Sequence, residues 1–100
     1  MPVNGAAHAL RVREQLEQER RTRSGQLDDL ERDGQAAQDD AARNRVASLR
    51  QTIEEIDAAL TRLDAGSYGA CVDCAKPIPD GRLEILPYTS RCVRCQQRRG

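Results

Sequence analysis

Four cysteines are the residues in this chain best suited to chemistry. Cys71-Val-Asp-Cys74 and Cys92-Val-Arg-Cys95 form two C-x-x-C pairs separated by 17 residues. Each pair lets two thiolates of one tight turn face the same ion, and two pairs supply four soft ligands, the full shell of one tetrahedral zinc. With four protein ligands no coordination position stays open for a catalytic water, so the expected Zn2+ is structural. A redox C-x-x-C would need a βαβ context, which is not visible around these residues. Two disulfides would need an oxidising compartment. The start "MPVNGAAHALRVREQ" lacks the apolar run of a signal peptide, and no later segment approaches a membrane span. A cytoplasmic location is therefore expected, and zinc is the favoured reading of the cysteines.

A zinc ion with four thiolates carries a charge of about −2. Residues 65–100 hold six Lys/Arg against three acids, and Lys76, Arg82, Arg91 and Arg94 offer the offsetting charge. The segment has few apolar residues, so metal binding should supply much of its stability. Between the pairs, "KPIPDGRLEILPYTSR" predicts a turn at Pro79-Asp80-Gly81 and an apolar stretch from Leu83 to Leu86. That reads as a minimal hairpin or loop over the zinc, ended by Pro87. His8 stands alone near the start and is expected to be a solvated terminal residue. With no nucleophile–base pair, phosphate loop or paired carboxylates in sight, the chain does not read as an enzyme.

The elements that must position this site follow from composition and periodicity. The 100 residues include no Trp or Phe and only two aromatics, Tyr68 and Tyr88. Large side chains for an ordinary compact core are missing. A chain rich in Ala, Arg, Glu, Gln and Leu, with charged residues at 32%, reads as long helices plus a small stapled unit. From Ala42 the apolar positions run Val46, Leu49, Ile53, Ile56, Leu60 and Leu63, at alternating intervals of four and three. Such a stripe needs a partner helix. The preceding arm supplies Leu10, Leu16, Leu27 and Leu30, with Arg20 and Arg23 at seam positions between them. Those two arginines are expected to lay their stems along the seam and reach water or Glu54 on the other arm. The alternative is that they fix the antiparallel register.

The predicted architecture is all-α dominated: an antiparallel coiled-coil hairpin over residues 1–65, then a four-cysteine zinc-finger module over 66–100 with a short basic tail. The hairpin should be roughly 40 Å long at the helical rise of about 1.5 Å per residue. Its tip falls near residues 33–40. Gly34 can end the first helix, and Asp39 and Asp40 suit the first turn of the second. Gly66 sits where that helix should be capped. Net charge is zero overall, which with the shortage of aromatics argues against nucleic-acid binding.

The run "IDAALTRLDAGSYGACVDCAKPIPDGRLEILPYTSRCVRC" resembles the DksA/TraR family of four-cysteine zinc-finger proteins. The helix entering Gly66-Ser67-Tyr68-Gly69-x-Cys71, the 17-residue spacer, and Arg82-Leu83-Glu84 followed by Pro87 stand in the family's order. The match covers residues 53–95, and the hairpin before it matches in architecture. The resemblance implies a bacterial transcription regulator that binds RNA polymerase core rather than DNA. In that family the zinc module and hairpin base dock at the rim of the polymerase secondary channel, and the coiled coil passes down it. On this chain that implies rim contacts at Arg82, Arg91 and Arg94, and acidic tip contacts among Asp28, Glu31, Asp33, Asp39 and Asp40.

The family's Asp-x-x-Asp-x-Ala tip motif has no strict match here. Asp28-x-x-Glu31 is nearest, with Asp33 in place of alanine, while Asp39-Asp40-Ala41 lies across the turn. Glu55, Leu86 and Gln96 occupy positions where longer members carry the basic residues that help hold guanosine tetraphosphate, which argues against a response to that nucleotide. Only "QQRRG" follows Cys95, so little of the family's C-terminal helix is expected. The chain is expected to be a short, TraR-like member and a monomer. Two other classes compete with this reading: a zinc-stapled coiled-coil adaptor for another protein, and a DNA-binding zinc module using Arg94, Arg98 and Arg99.

Overall fold

The computed structural model describes residues 5–34 and 38–99. Four helices follow in chain order: α1 Gly5–Asp33, α2 Asp40–Ala65, α3 Asp80–Ile85 and α4 Val93–Arg99. The long pair, α1 and α2, packs side by side as an antiparallel hairpin, and the molecule measures 46 × 32 × 21 Å. Among the described residues there is no strand, only an isolated antiparallel bridge between Ala70 and Pro77.

Local chemistry accounts for the helix boundaries. Within α1 only Val12 and Thr22 are β-branched, and the rest is dominated by residues that lose little rotamer freedom in a helix. Its end is marked by Gly34 at φ 71°, a left-handed conformation costly for side-chain-bearing residues. Asp39 is extended, and its carboxylate accepts from the Ala41 N–H at 2.9 Å, capping α2. Asp40 adds negative charge to the positive end of the helix dipole. Residues 35–37 of the expected tip lie outside the described residues. At the far end Gly66 adopts φ 80°, and its N–H and that of Ser67 close onto the carbonyls of Leu63 and Arg62.

The seam follows the heptads on α2. Leu49 and Ile56 are buried, and Ala42, Val46, Ile53, Leu60 and Leu63 are half-buried. On α1 the expected stripe is corrected in two places. Leu10 is 55% exposed, and Val12 faces the core instead. Arg20 lies exposed outside the seam and pairs with Asp57 of α2 rather than Glu54, its Nε to the carboxylate at 2.7 Å. Arg23 does lie half-buried, paired with Glu19 one turn back. The seam of α1 is thus Val12, Leu16, Glu19, Arg23, Leu27 and Leu30, with its two charged members neutralising each other. Arg13–Asp64, Arg20–Asp57 and Arg50–Glu31 bridge the two arms. Each exposed pair contributes little stability, but any slip of one arm would unmatch all three.

One core joins the hairpin base to the cysteine-bearing segment. Val12 and Leu16 of α1 and Ile56 and Ala59 of α2 cluster with Tyr68, Cys71, Ile78, Leu83 and Cys95. The segment between the cysteine pairs is not the hairpin or loop expected. Residues 80–85 form helix α3, started by the Arg82 and Leu83 N–H groups donating to the Pro79 carbonyl at 3.0 and 3.2 Å. A strand would put Leu83 and Ile85 on one face. The helix separates them, burying Leu83 and leaving Ile85 79% exposed. After the second cysteine pair the chain is helical through Arg99, because Cys95 lies within α4.

Candidate metal centre and its surroundings

The first cysteine pair sits on a tight loop. The Cys71 N–H donates to the Lys76 carbonyl at 2.9 Å and the Ala75 N–H to the Cys71 carbonyl at 2.8 Å. Ala75 closes this loop at φ 65°, where a side chain is strained. The second pair begins in a loop at Cys92 and ends on α4 at Cys95, fixed by the Gln96 N–H donating to the Cys92 carbonyl at 2.9 Å. The Val72 N–H donates to the Ser90 carbonyl, also at 2.9 Å, and holds the two loops face to face.

The four Sγ atoms all lie within 4.8 Å of one another, and Cys74 and Cys92 are 3.8 Å apart. Tetrahedral zinc with Zn–S bonds of about 2.3 Å sets its sulfurs about 3.8 Å apart. The donor set therefore fits one zinc ion. Proton affinities point the same way. Burial resists ionisation of Cys71, but N–H groups of Cys92, Cys74 and Asp73 outweigh it and bring the thiol down to about 6. Cys92 is also lowered, chiefly by its neighbour's backbone at Cys95. Cys95 is pushed up to about 12, first by its contact with Cys92 and then by burial. Four thiols this close cannot all ionise unaided, and a divalent cation removes the conflict. Cys71, Cys74, Cys92 and Cys95 are thus positioned to bind one metal ion.

Asp73, which sequence reasoning passed over, fastens the second half of the site to the first. Its carboxylate accepts from Arg91 Nε at 2.8 Å and from Arg99 Nε at 3.0 Å. Hydrogen bonding from Arg99 leads in holding its carboxyl below the usual range. The signal was present as an acid inside one C-x-x-C with arginines just before and one turn after the other. Above this latch, the Tyr68 hydroxyl donates to the Pro87 carbonyl at 2.8 Å inside the core. Arg23 of α1 lies over the Tyr88 ring at 5.6 Å from its centroid, a cation–π contact between hairpin and finger.

The other singled-out residues fall into separate places. Of the three arginines expected at the rim, Arg91 is engaged by Asp73, Arg82 is half-buried on α3, and Arg94 is exposed on α4. Arg99, offered as a DNA contact, is likewise held by Asp73. His8 is not solvated as expected. It is half-buried and lines a small cleft of ≈ 130 Å³ between α1 and α3 with Gln15, Asp80 and Glu84. At the distal end Glu31 is tied to Arg50, Asp39 caps α2, and Asp40 pairs with Arg43. Asp28 and Asp33 are exposed and have no ion-pair partner among the described residues, and the same holds for Asp29, which the motif comparison overlooked.

Two long helices closed at one end by a four-cysteine metal site define a helical-hairpin zinc-finger protein. The model of the prokaryotic dksA/traR C4-type zinc finger matches residues 66–99. The chain is 43% identical over 49 residues to the RNA polymerase-binding transcription factor DksA of Caulobacter vibrioides, a segment covering 49% of this chain and 34% of that protein. It is 38% identical over 63 residues to protein YbiI of Escherichia coli K12, covering 61% of this chain and 68% of YbiI. The solved structure of transcription factor DksA2 from Pseudomonas aeruginosa superposes with a TM-score of 0.57 at 28% identity, covering 91% of this chain and 76% of that one. The chain belongs to the DksA/TraR family of C4-type zinc-finger proteins. It spans only about a third of the length of several curated relatives it matches, 34% for the Caulobacter factor.

Proposed function

We propose that this chain regulates transcription in the bacterial cytoplasm by binding RNA polymerase core through its secondary channel, with the distal end of the hairpin approaching the active site. The observation that carries this reading is the pairing of a zinc-stapled base with a narrow helical rod in one molecule 46 Å long. A globular domain could not enter a channel that two helices can. The zinc module has a structural part, and the protein performs no chemistry of its own. Carboxylates at the distal end would act on the catalytic magnesium and its basic surroundings electrostatically, over a range of about 10 Å set by screening. Of the acids singled out from the sequence at this end, Asp28 and Asp33 fit that part best, because Glu31, Asp39 and Asp40 are occupied in holding the hairpin together.

Pull-down of purified core polymerase tests the reading, with a second secondary-channel protein added as competitor. Capture that the competitor abolishes is the expected result. Failure to capture core polymerase, together with unchanged transcription from a ribosomal-type promoter, would sink it.

A further inference from the structure

Beside the metal centre runs an open groove lined by Lys76, Pro77 and Pro79 on one side and Val93, Arg94 and Arg98 on the other. Three of the four metal-site cysteines, Cys74, Cys92 and Cys95, also line it, so the groove opens onto the metal centre. Lys76, Arg94 and Arg98 are all exposed, and none has an ion-pair partner among the described residues. None of the three acids of the finger lines the groove. Asp73 is neutralised by Arg91 and Arg99, and Asp80 and Glu84 line the His8 cleft against α1. Zinc-bound thiolates would add about −2 beneath the groove, which its three cationic heads exceed.

We propose that this groove is a docking site for an acidic, extended peptide segment of a partner protein. It rests on the reading that the zinc module docks on a protein. Arg94 and Arg98 stand one turn apart on the same face of α4, with side chains about 6 Å apart. An extended strand repeats its side chains on one face every ~6.8 Å, so acids at alternate positions meet these two arginines in register. Lys76 lines the same groove. Between the heads the lining is apolar, with both prolines exposed and Val93 46% exposed. That surface suits an apolar side chain of a peptide better than a sugar–phosphate backbone. Nucleic acid is disfavoured further because Arg99 is withdrawn into the Asp73 latch and no aromatic lines the groove for stacking.

The test uses the zinc-loaded full chain, a fluorescein-labelled peptide of alternating Glu and Leu, and a DNA duplex of equal charge. Anisotropy should show peptide binding that weakens at least about tenfold in the double variant Arg94→Glu, Arg98→Glu, and stays within about twofold in Arg45→Glu, an exposed cation on α2. One zinc per chain in every variant controls for folding. No peptide binding, equal loss in Arg45→Glu, or tighter binding of the duplex through the same two arginines overturns the proposal. The same variants are then tested on core polymerase. If the parent binds polymerase and the double variant binds it equally well, the groove proposal falls and the regulator reading stands. If the parent binds peptide through the groove but not polymerase, the regulator reading falls and the groove stands.

Discussion

At the base of the hairpin, Leu16, Ile56 and Ala59 are fully sealed from water by contributions from both long helices and the finger. Toward the other end, Leu27, Leu30, Ala42 and Val46 are only half-buried, and no third element covers them. The same two helices are therefore held by different means along their length. Hydrophobic burial and a metal secure the base, where a fully buried Leu or Ile is worth about 1.5–3 kcal/mol. Caps, one cross-arm ion pair and helix propensity secure the distal half. The part that carries most of the stability and the part that carries the proposed contact are separated, so Asp28 and Asp33, which hold no cap or ion pair among the described residues, can change with little cost to the fold.

The largest effect should come from breaking the staple. Cys74→Ser should lose zinc and unfold residues 66–99 together with the base core, while α2 near Leu49 keeps more of its helix. Zinc stoichiometry and residue-resolved hydrogen exchange would read this, and full zinc occupancy in the variant would contradict the site. Acidification acts on the same centre. Protons compete for the thiols, whose metal-free values run from about 6 at Cys71 to about 12 at Cys95. Zinc affinity should therefore fall as pH drops, by up to about tenfold per unit for each proton displaced. A pH-independent competition with a chromogenic chelator would argue against thiolate ligation.

Next in size is Ile56→Ala in the base, expected to cost about 3–4 kcal/mol by urea denaturation of the zinc-loaded protein. Leu30→Ala in the distal half should cost about 1 kcal/mol or less, since its side chain is already half in water. Equal costs would erase the contrast between the two ends. Asp39→Ala should cost about 1 kcal/mol through the lost cap. Smallest for stability is the pair Asp28→Asn and Asp33→Asn, expected within about 0.5 kcal/mol of the parent. Those two changes should nonetheless spare polymerase binding and weaken the effect on transcription, and transcription equal to the parent's would remove the acids from the proposal.

What could be read in the sequence was whatever is encoded at short range. The C-x-x-C pairs, the alternating four and three intervals on α2, the Asp39 cap and Gly66 each reveal themselves within a few residues. What depends on neighbours from elsewhere did not. Val12 displaces Leu10 from the seam because the finger covers that side of α1. The partner of Arg20 is fixed by antiparallel register, which brings Asp57 rather than Glu54 opposite it. Helix α3 was obscured by its six-residue length and Gly81, and it forms because burying Leu83 against the base leaves Ile85 outside. Asp73 gains its part only when α4 brings Arg99 back across the first cysteine pair.

The shared core at the base also acts as an aiming device. With Leu16 and Ile56 locked among Tyr68, Ile78 and Leu83, the rod cannot swivel on the finger as it would on a linker. Over a helical rod of about 40 Å, an angular slack of 5° would displace the far end by about 3.5 Å, comparable to one hydrogen-bond length. A surface that grips the finger would thereby set where the distant carboxylates point, and loosening the core at the base would blur that aim without touching either end.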